Sequence, residues 1–213
     1  MPQAPTRELV AESLRIVDSD GQLRLVVHNR PGMPAPRLSG VDLPGLRQGG
    51  EAAGLMFYDG EGNECGGLVF GASPDAGGRH RQALALAFDA CGQDQVVELM
   101  SEDVEGERRC GLRLSDRPSR PLLEDVRSIR AAEAMLPGAE RDHLLEAARS
   151  GHAERAFLGR ERDGTVHLTL RDAAGAPRLR LAVAASGAPA IEFLDAHGAV
   201  AYRLAPEAAP PNA

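Results

Sequence analysis

With 213 residues, 43% of them apolar, the chain is long enough for one large domain or two small ones and can supply an aliphatic core. Aromatic residues make up only 3% and Trp is absent, so stacking platforms for bases or sugars are scarce, and a net charge of −7 disfavours nucleic acid or an anionic membrane surface as partner. No apolar run approaches the length of a membrane span, and the first residues, MPQAPTRELVAES, lack the basic-then-apolar order of a secretory leader.

Three cysteines, Cys65, Cys91 and Cys110, fall at unrelated spacings with neither a zinc pattern nor Cys-x-x-Cys, which fits reduced thiols and a cytoplasmic setting. Frequent Ala, Arg, Gly and Pro suggest a GC-rich bacterial gene. No cofactor fingerprint is present, neither a phosphate-binding Gly loop nor a dinucleotide motif on a strand-to-helix turn.

Taken in chain order, residues 1–12 form an N-terminal arm and residues 13–206 a repeat-built β-domain. A first hairpin over 13–27 turns at Asp18 to Gly21. A Gly/Pro-rich loop over 28–50 follows, too long for a simple turn and therefore expected to bind, pack or assemble. Hairpins over 53–70, 83–100 and 110 to about 123 come next, joined by the loops SPDAGGRHRQ and SEDVEGERR, which are expected to be exposed. An Ala, Glu, Arg and Leu-rich insertion over about 124–156 reads as a helical hairpin broken at Pro137-Gly138. The last hairpins fill 157–206, and 207–213 reads as a disordered tail.

The hairpins are recognised by an Asp-x-x-Gly turn, as at Asp59 to Gly62, Asp172 to Gly175 and Asp195 to Gly198, set between apolar residues at period two. That period predicts strands with one buried apolar face. The frame crosses the turns with a fixed spacing of nine, from Ile16 to Leu25, Phe88 to Val97, Leu114 to Leu123 and Leu170 to Leu179. It holds even where Asp89 and Gly92 sit one place early, so burial fixes that hairpin and the turn accommodates it. Leu158, Leu181 and Leu204 recur at a spacing of 23, two strands and two turns per unit. The fold class is therefore mainly β, consecutive antiparallel hairpins in a barrel, prism or curled sheet with one inserted helical hairpin.

The segments LRIVDSDGQLRLVV, AGLMFYDGEGNECGGLVFG, LRDAAGAPRLRLAV and IEFLDAHGAV resemble an uncharacterised family of bacterial proteins with repeated β-hairpins, most sharply over 53–71. The resemblance implies a repeat-built β fold and carries no assigned activity or catalytic residues.

Three groups of residues could bear chemistry. Cys65, beside Glu64 and the paired glycines Gly66 and Gly67, could be a nucleophile next to a backbone binding pocket, or a small packed thiol where strands approach closely. Asp18 with Asp20, and Asp59 with Glu61, offer two acids in a turn, too few oxygens for a full calcium site. Arg178, Arg180 and Arg203 form a basic stripe or pair across strands with Glu192. The leading expectation is a non-catalytic structural or interaction module that forms homo-oligomers through strand edges and inserted loops. The alternative is a small-molecule-binding or enzymatic β-barrel around Glu64 and Cys65.

Overall fold

The computed structural model describes residues 8–47, 52–74 and 77–206; most of the expected N-terminal arm, the end of the 28–50 loop and the 207–213 tail lie outside them. Strands β1 (Ser13–Val17) and β2 (Leu23–His28) lead into two short strands, β3 (Arg37–Leu38) and β4 (Val41–Asp42), inside the Gly/Pro-rich segment. β5 (Ala53–Tyr58), β6 (Glu64–Pro74), β7 (His80–Asp89), β8 (Gln95–Val104) and β9 (Glu107–Asp116) follow. Two helices, α1 (Leu122–Glu133) and α2 (Ala139–Arg149), precede β10 (Ala153–Arg160), β11 (Val166–Arg171), β12 (Pro177–Val183), β13 (Pro189–Leu194) and β14 (Val200–Leu204).

All strands except the β3–β4 pair join one 12-stranded antiparallel sheet in the order β1-β2-β5-β6-β7-β8-β9-β10-β11-β12-β13-β14. The chain thus builds a meander with β1 and β14 left as edges. The sheet does not close, so the barrel expectation is corrected to an open sheet.

The recurrent turn explains the regularity. Asp59 N–H donates to Asn63 O at 2.8 Å and Gly62 N–H to Asp59 O at 3.0 Å. Asp59 Oδ1 accepts the N–H groups of Glu61 and Asn63, both at 2.9 Å. Gly62, at φ 77°, takes the left-handed position that lets the chain re-enter the ladder through a one-residue bulge. The same pair of backbone bonds closes the turns beginning at Asp18, Glu161, Asp172, Ala184 and Asp195. At the β7–β8 turn the bonds begin instead at Ala90, and Gly92 supplies positive φ in the third place rather than the fourth. The ladder therefore keeps Phe88 opposite Val97, and Asp89 is left as the last strand residue.

Two expectations fail for identifiable reasons. The fourth hairpin, 110 to about 123, does not exist: β9 pairs with β8 and β10, and Leu123 is buried on α1. Pro121, at φ −61° and without an N–H, stands at the helix start and ends any strand there. SEDVEGERR is strand on either side of a two-residue turn at 105–106, and SPDAGGRHRQ is strand at 73–74 and 80–82 while its residues 77–82 are exposed as expected; cross-strand ion pairs stand where apolar alternation is missing. Arg81 meets Glu102 at 2.8 Å and Arg108 meets Asp103 at 2.9 Å.

The helical hairpin and the β2–β5 segment pack on each other. Leu38 and Leu43 cluster with Leu123 and Val126. Arg120 fastens the helices: its guanidinium donates to Asp125 Oδ1 at 2.6 Å and to the carbonyls of Ala147, Ala148 and Ser150 at 2.8–3.1 Å, satisfying the end of α2. Gln93 Nε2 in turn donates to Arg120 O, tying the pair to the β7–β8 turn.

One sheet face is mixed in character. Near β2 and β5 it buries Val26, Met56 and Tyr58. Farther along it carries the ladder Glu98–Arg113, then Phe157, Thr169 and the Arg180–Glu192–Arg203 set, in which Arg180 meets Glu192 at 2.5 Å and Arg203 meets it at 3.6 Å. The basic stripe is thus paired across strands. Phe157, 2% exposed, lies over Gly111 and Gly159, with the Arg109 guanidinium 4.7 Å from its ring centre and His167 beside it. Phe157→Ala should cost about 3–5 kcal/mol in urea unfolding, because the glycines beneath the ring have no side chain to collapse into the space.

Candidate functional site

The period-two residues share one face, but that face is not buried. Following hydrogen-bonded partners across the sheet, the middle row reads Leu14, Val27, Leu55, Leu68, Leu86, Leu99, Leu112, Leu158, Leu168, Leu181, Ile191, Leu204. Each of the 12 strands contributes one apolar side chain, and only β2 and β13 use a residue other than Leu. A second row, two residues nearer the β1–β2 turn, runs Ile16, Leu25, Phe57, Gly66, Phe88, Val97, Leu114, Ala156, Leu170, Leu179, Phe193, Tyr202. A third, on the other side, includes Ala53, Phe70, Leu84, Val166, Val183 and Pro189.

The turns at Asp18, Asp59, Asp172 and Asp195 return the chain through a one-residue register shift and those at Glu161 and Ala184 return it without one, and both kinds leave the apolar residues paired row to row. Their side chains stand in solvent: Leu99 is 55% exposed, Leu158 51% and Tyr202 57%. Most of the exposed large hydrophobics of the described chain belong to these rows. Two shallow depressions, about 600 and 660 Å³, lie along the face and share Leu158 and Val166. The expectation of a buried apolar face is corrected here, for the sheet is one layer and the helices and the β2–β5 segment pack elsewhere.

The residues singled out for chemistry are placed differently. Glu64 lies at the start of β6 and its carboxylate meets Arg47 at 2.5 Å, a guanidinium also held by Pro34 O. Burial pushes the Glu64 carboxyl up, against the pull of Arg47. Cys65 sits at the bulge beside it, its thiol pushed up by burial and then by the carboxylates of Asp59, Asp89 and Glu64, which favours the protonated, less nucleophilic form. Gly66 and Gly67 mark a close strand approach: a Cβ on Gly66 would fall 2.4 Å from Ala87 O, and one on Gly67 2.7 Å from Leu55 O. Tyr58, opposite Glu64, is pushed up to about 12 by burial and the Glu64 charge.

The turn acids are engaged by their own hairpins. Asp18 pairs with Arg24 at 2.5 Å, Asp20 accepts Gln22 N–H, Asp59 accepts two backbone N–H groups, and Glu61 reaches Asn63 Nδ2. Among the described residues no group of three or more His, Cys, Asp or Glu is placed to hold a metal ion. No described helix is long and apolar enough to cross a membrane.

Sequence reasoning overlooked Asp89. The slipped turn leaves its Oδ1 buried without a partner, and burial, then Asp94 and Glu64, push its carboxyl up to about 7 against Arg117 and Arg47. The signal was present in the one-place offset of its turn.

No family model, curated protein or solved structure matches the chain.

Because the folded chain holds the Asp89 proton more tightly than the unfolded one, this group favours folding most at and below about pH 4 and progressively less as pH rises to about 7. Asp89→Asn, which mimics the neutral acid, should be more stable than the parent by about 1–3 kcal/mol above pH 7, with the difference vanishing near pH 4. Thermal unfolding of both proteins across that range measures it.

Proposed function

We infer that the protein is a non-catalytic structural or interaction module that self-associates. The open apolar face carries this reading. A hydrophobic surface that crosses every strand in continuous rows is far larger than the scattered apolar side chains normal on a monomer. Edge strands β1 and β14, exposed along their length, and the inserted β2–β5 segment are further surfaces for assembly.

Membership of the repeat-hairpin bacterial family is proposed on the same motifs. A cytoplasmic setting suits the three unpaired cysteines. The acidic charge balance argues against nucleic acid and anionic membranes as partners. The alternative, a small-molecule or enzymatic site at Glu64 and Cys65, has less support, because Arg47 occupies the carboxylate and the thiol is shifted away from reactivity.

Sedimentation velocity from about 1 to 100 μM should give a mass above that of one chain, with dissociation only at the dilute end. A clean monomer across the whole range contradicts self-association.

A further inference from the structure

Resting on that reading, we propose that the occupant of the apolar face is the same face of a second copy, so that two sheets form a sandwich and the strand edges are not the principal contact. Area is the first argument. Twelve strands at about 4.8 Å spacing span about 53 Å, and three rows repeating every two residues cover about 15–20 Å. The face thus offers about 800–1,000 Å² per copy, and a standard stable interface buries about 800 Å² on each partner.

Composition is the second argument. The middle and second rows contain no charged residue, and Arg160, the charged member of the third row, turns its guanidinium back onto Arg108 O at 2.7 Å and Glu161 O at 3.1 Å. A surface this long and, in its two full rows, uncharged is complementary to another of its kind, which the chain itself supplies. Sheet faces are ordinarily buried against a second sheet about 10 Å away. The strand acids Glu98, Glu102 and Glu192 lie on the mixed face, and Asp103, which shares the apolar side, stands in the row beyond the third and is paired with Arg108. The third argument is shape: Leu99 and Leu158 project while the depressions sharing Leu158 and Val166 lie alongside them, so ridges of one copy can seat in the hollows of the other.

The experiment compares the parent with two double variants by sedimentation, with circular dichroism as a check on the sheet. Leu99→Gln/Leu158→Gln places amides at the centre of the contact, and Leu99→Met/Leu158→Met keeps its volume and polarity. The expected result is a dimer for the parent and the Met variant, and a folded protein at least about tenfold weaker in dimerisation for the Gln variant. If the Gln variant fails to fold, alkylation of the parent decides. Cys110 lies in the third row near the centre of the sheet, and Cys91 is exposed at a turn. In the dimer Cys110 should label at least about tenfold more slowly than Cys91 and recover on dilution.

A parent that is monomeric throughout overturns the self-association reading and this geometry together. A parent monomer that floats with phosphatidylcholine vesicles does the same and assigns the face to lipid. An oligomer whose mass is unchanged in a folded Gln variant, or whose Cys110 labels as fast as Cys91, overturns the face-to-face contact alone and leaves edge association standing.

Discussion

Register across twelve strands is the constraint on which the rest of the molecule depends. A strand presents alternate side chains to opposite faces, so a slip of one residue at any hairpin would move all later leucines to the other side. The bulged turns at Asp18, Asp59, Asp172 and Asp195 prevent the slip by returning the strand through the same one-residue register shift, and the Gly in the fourth place supplies the positive φ that the turn requires. Where the turn is out of place, at Ala90 to Gln93, the chain changes the turn and preserves the row, at the cost of leaving one oxygen of the half-buried Asp89 inaccessible and unpartnered. Hydrophobic alignment outranks local turn chemistry.

Magnitudes show why the aligned face matters. Removing about 1,600 Å² of it from water, both copies counted, corresponds to about 40 kcal/mol of gross transfer free energy before association and ordering costs. The net stability of a domain is only about 5–15 kcal/mol. The protein's own buried clusters, around Val26 and Met56 and around Leu38 and Leu123, are small beside that surface. On the proposed pairing, covering the face and holding the sheet together are one process, and the helices, tied through Arg120 and Gln93 to the β7–β8 turn, leave the leucines unshielded.

Much of this was legible in the sequence. Period two gave the strands, and the nine-residue spacing gave true cross-strand pairs at Ile16–Leu25, Phe88–Val97 and Leu170–Leu179. The 23-residue recurrence of Leu158, Leu181 and Leu204 placed them in one row on alternate strands. The same spacing misled at Leu114 to Leu123, where Pro121 starts a helix. Ala153–Ala156 read as helix but pair with β9, because composition does not reveal the partner that sets a strand. An alternating pattern says which face is apolar and is silent on what lies over it. Nor could it show that Arg47, from a Gly/Pro-rich loop, would occupy the Glu64 carboxylate and remove the most chemically suggestive pair from play.

The central claim is that the leucine rows of two copies meet. It is tested most directly by mixing one sample carrying labelled leucine methyl groups with another carrying a different isotope label and measuring magnetisation transfer between chains. Self-paired faces predict intermolecular contacts among the methyls of Leu99, Leu112 and Leu158 at the middle of the sheet. Transfer confined to β1 and β14, or none between chains, would contradict it.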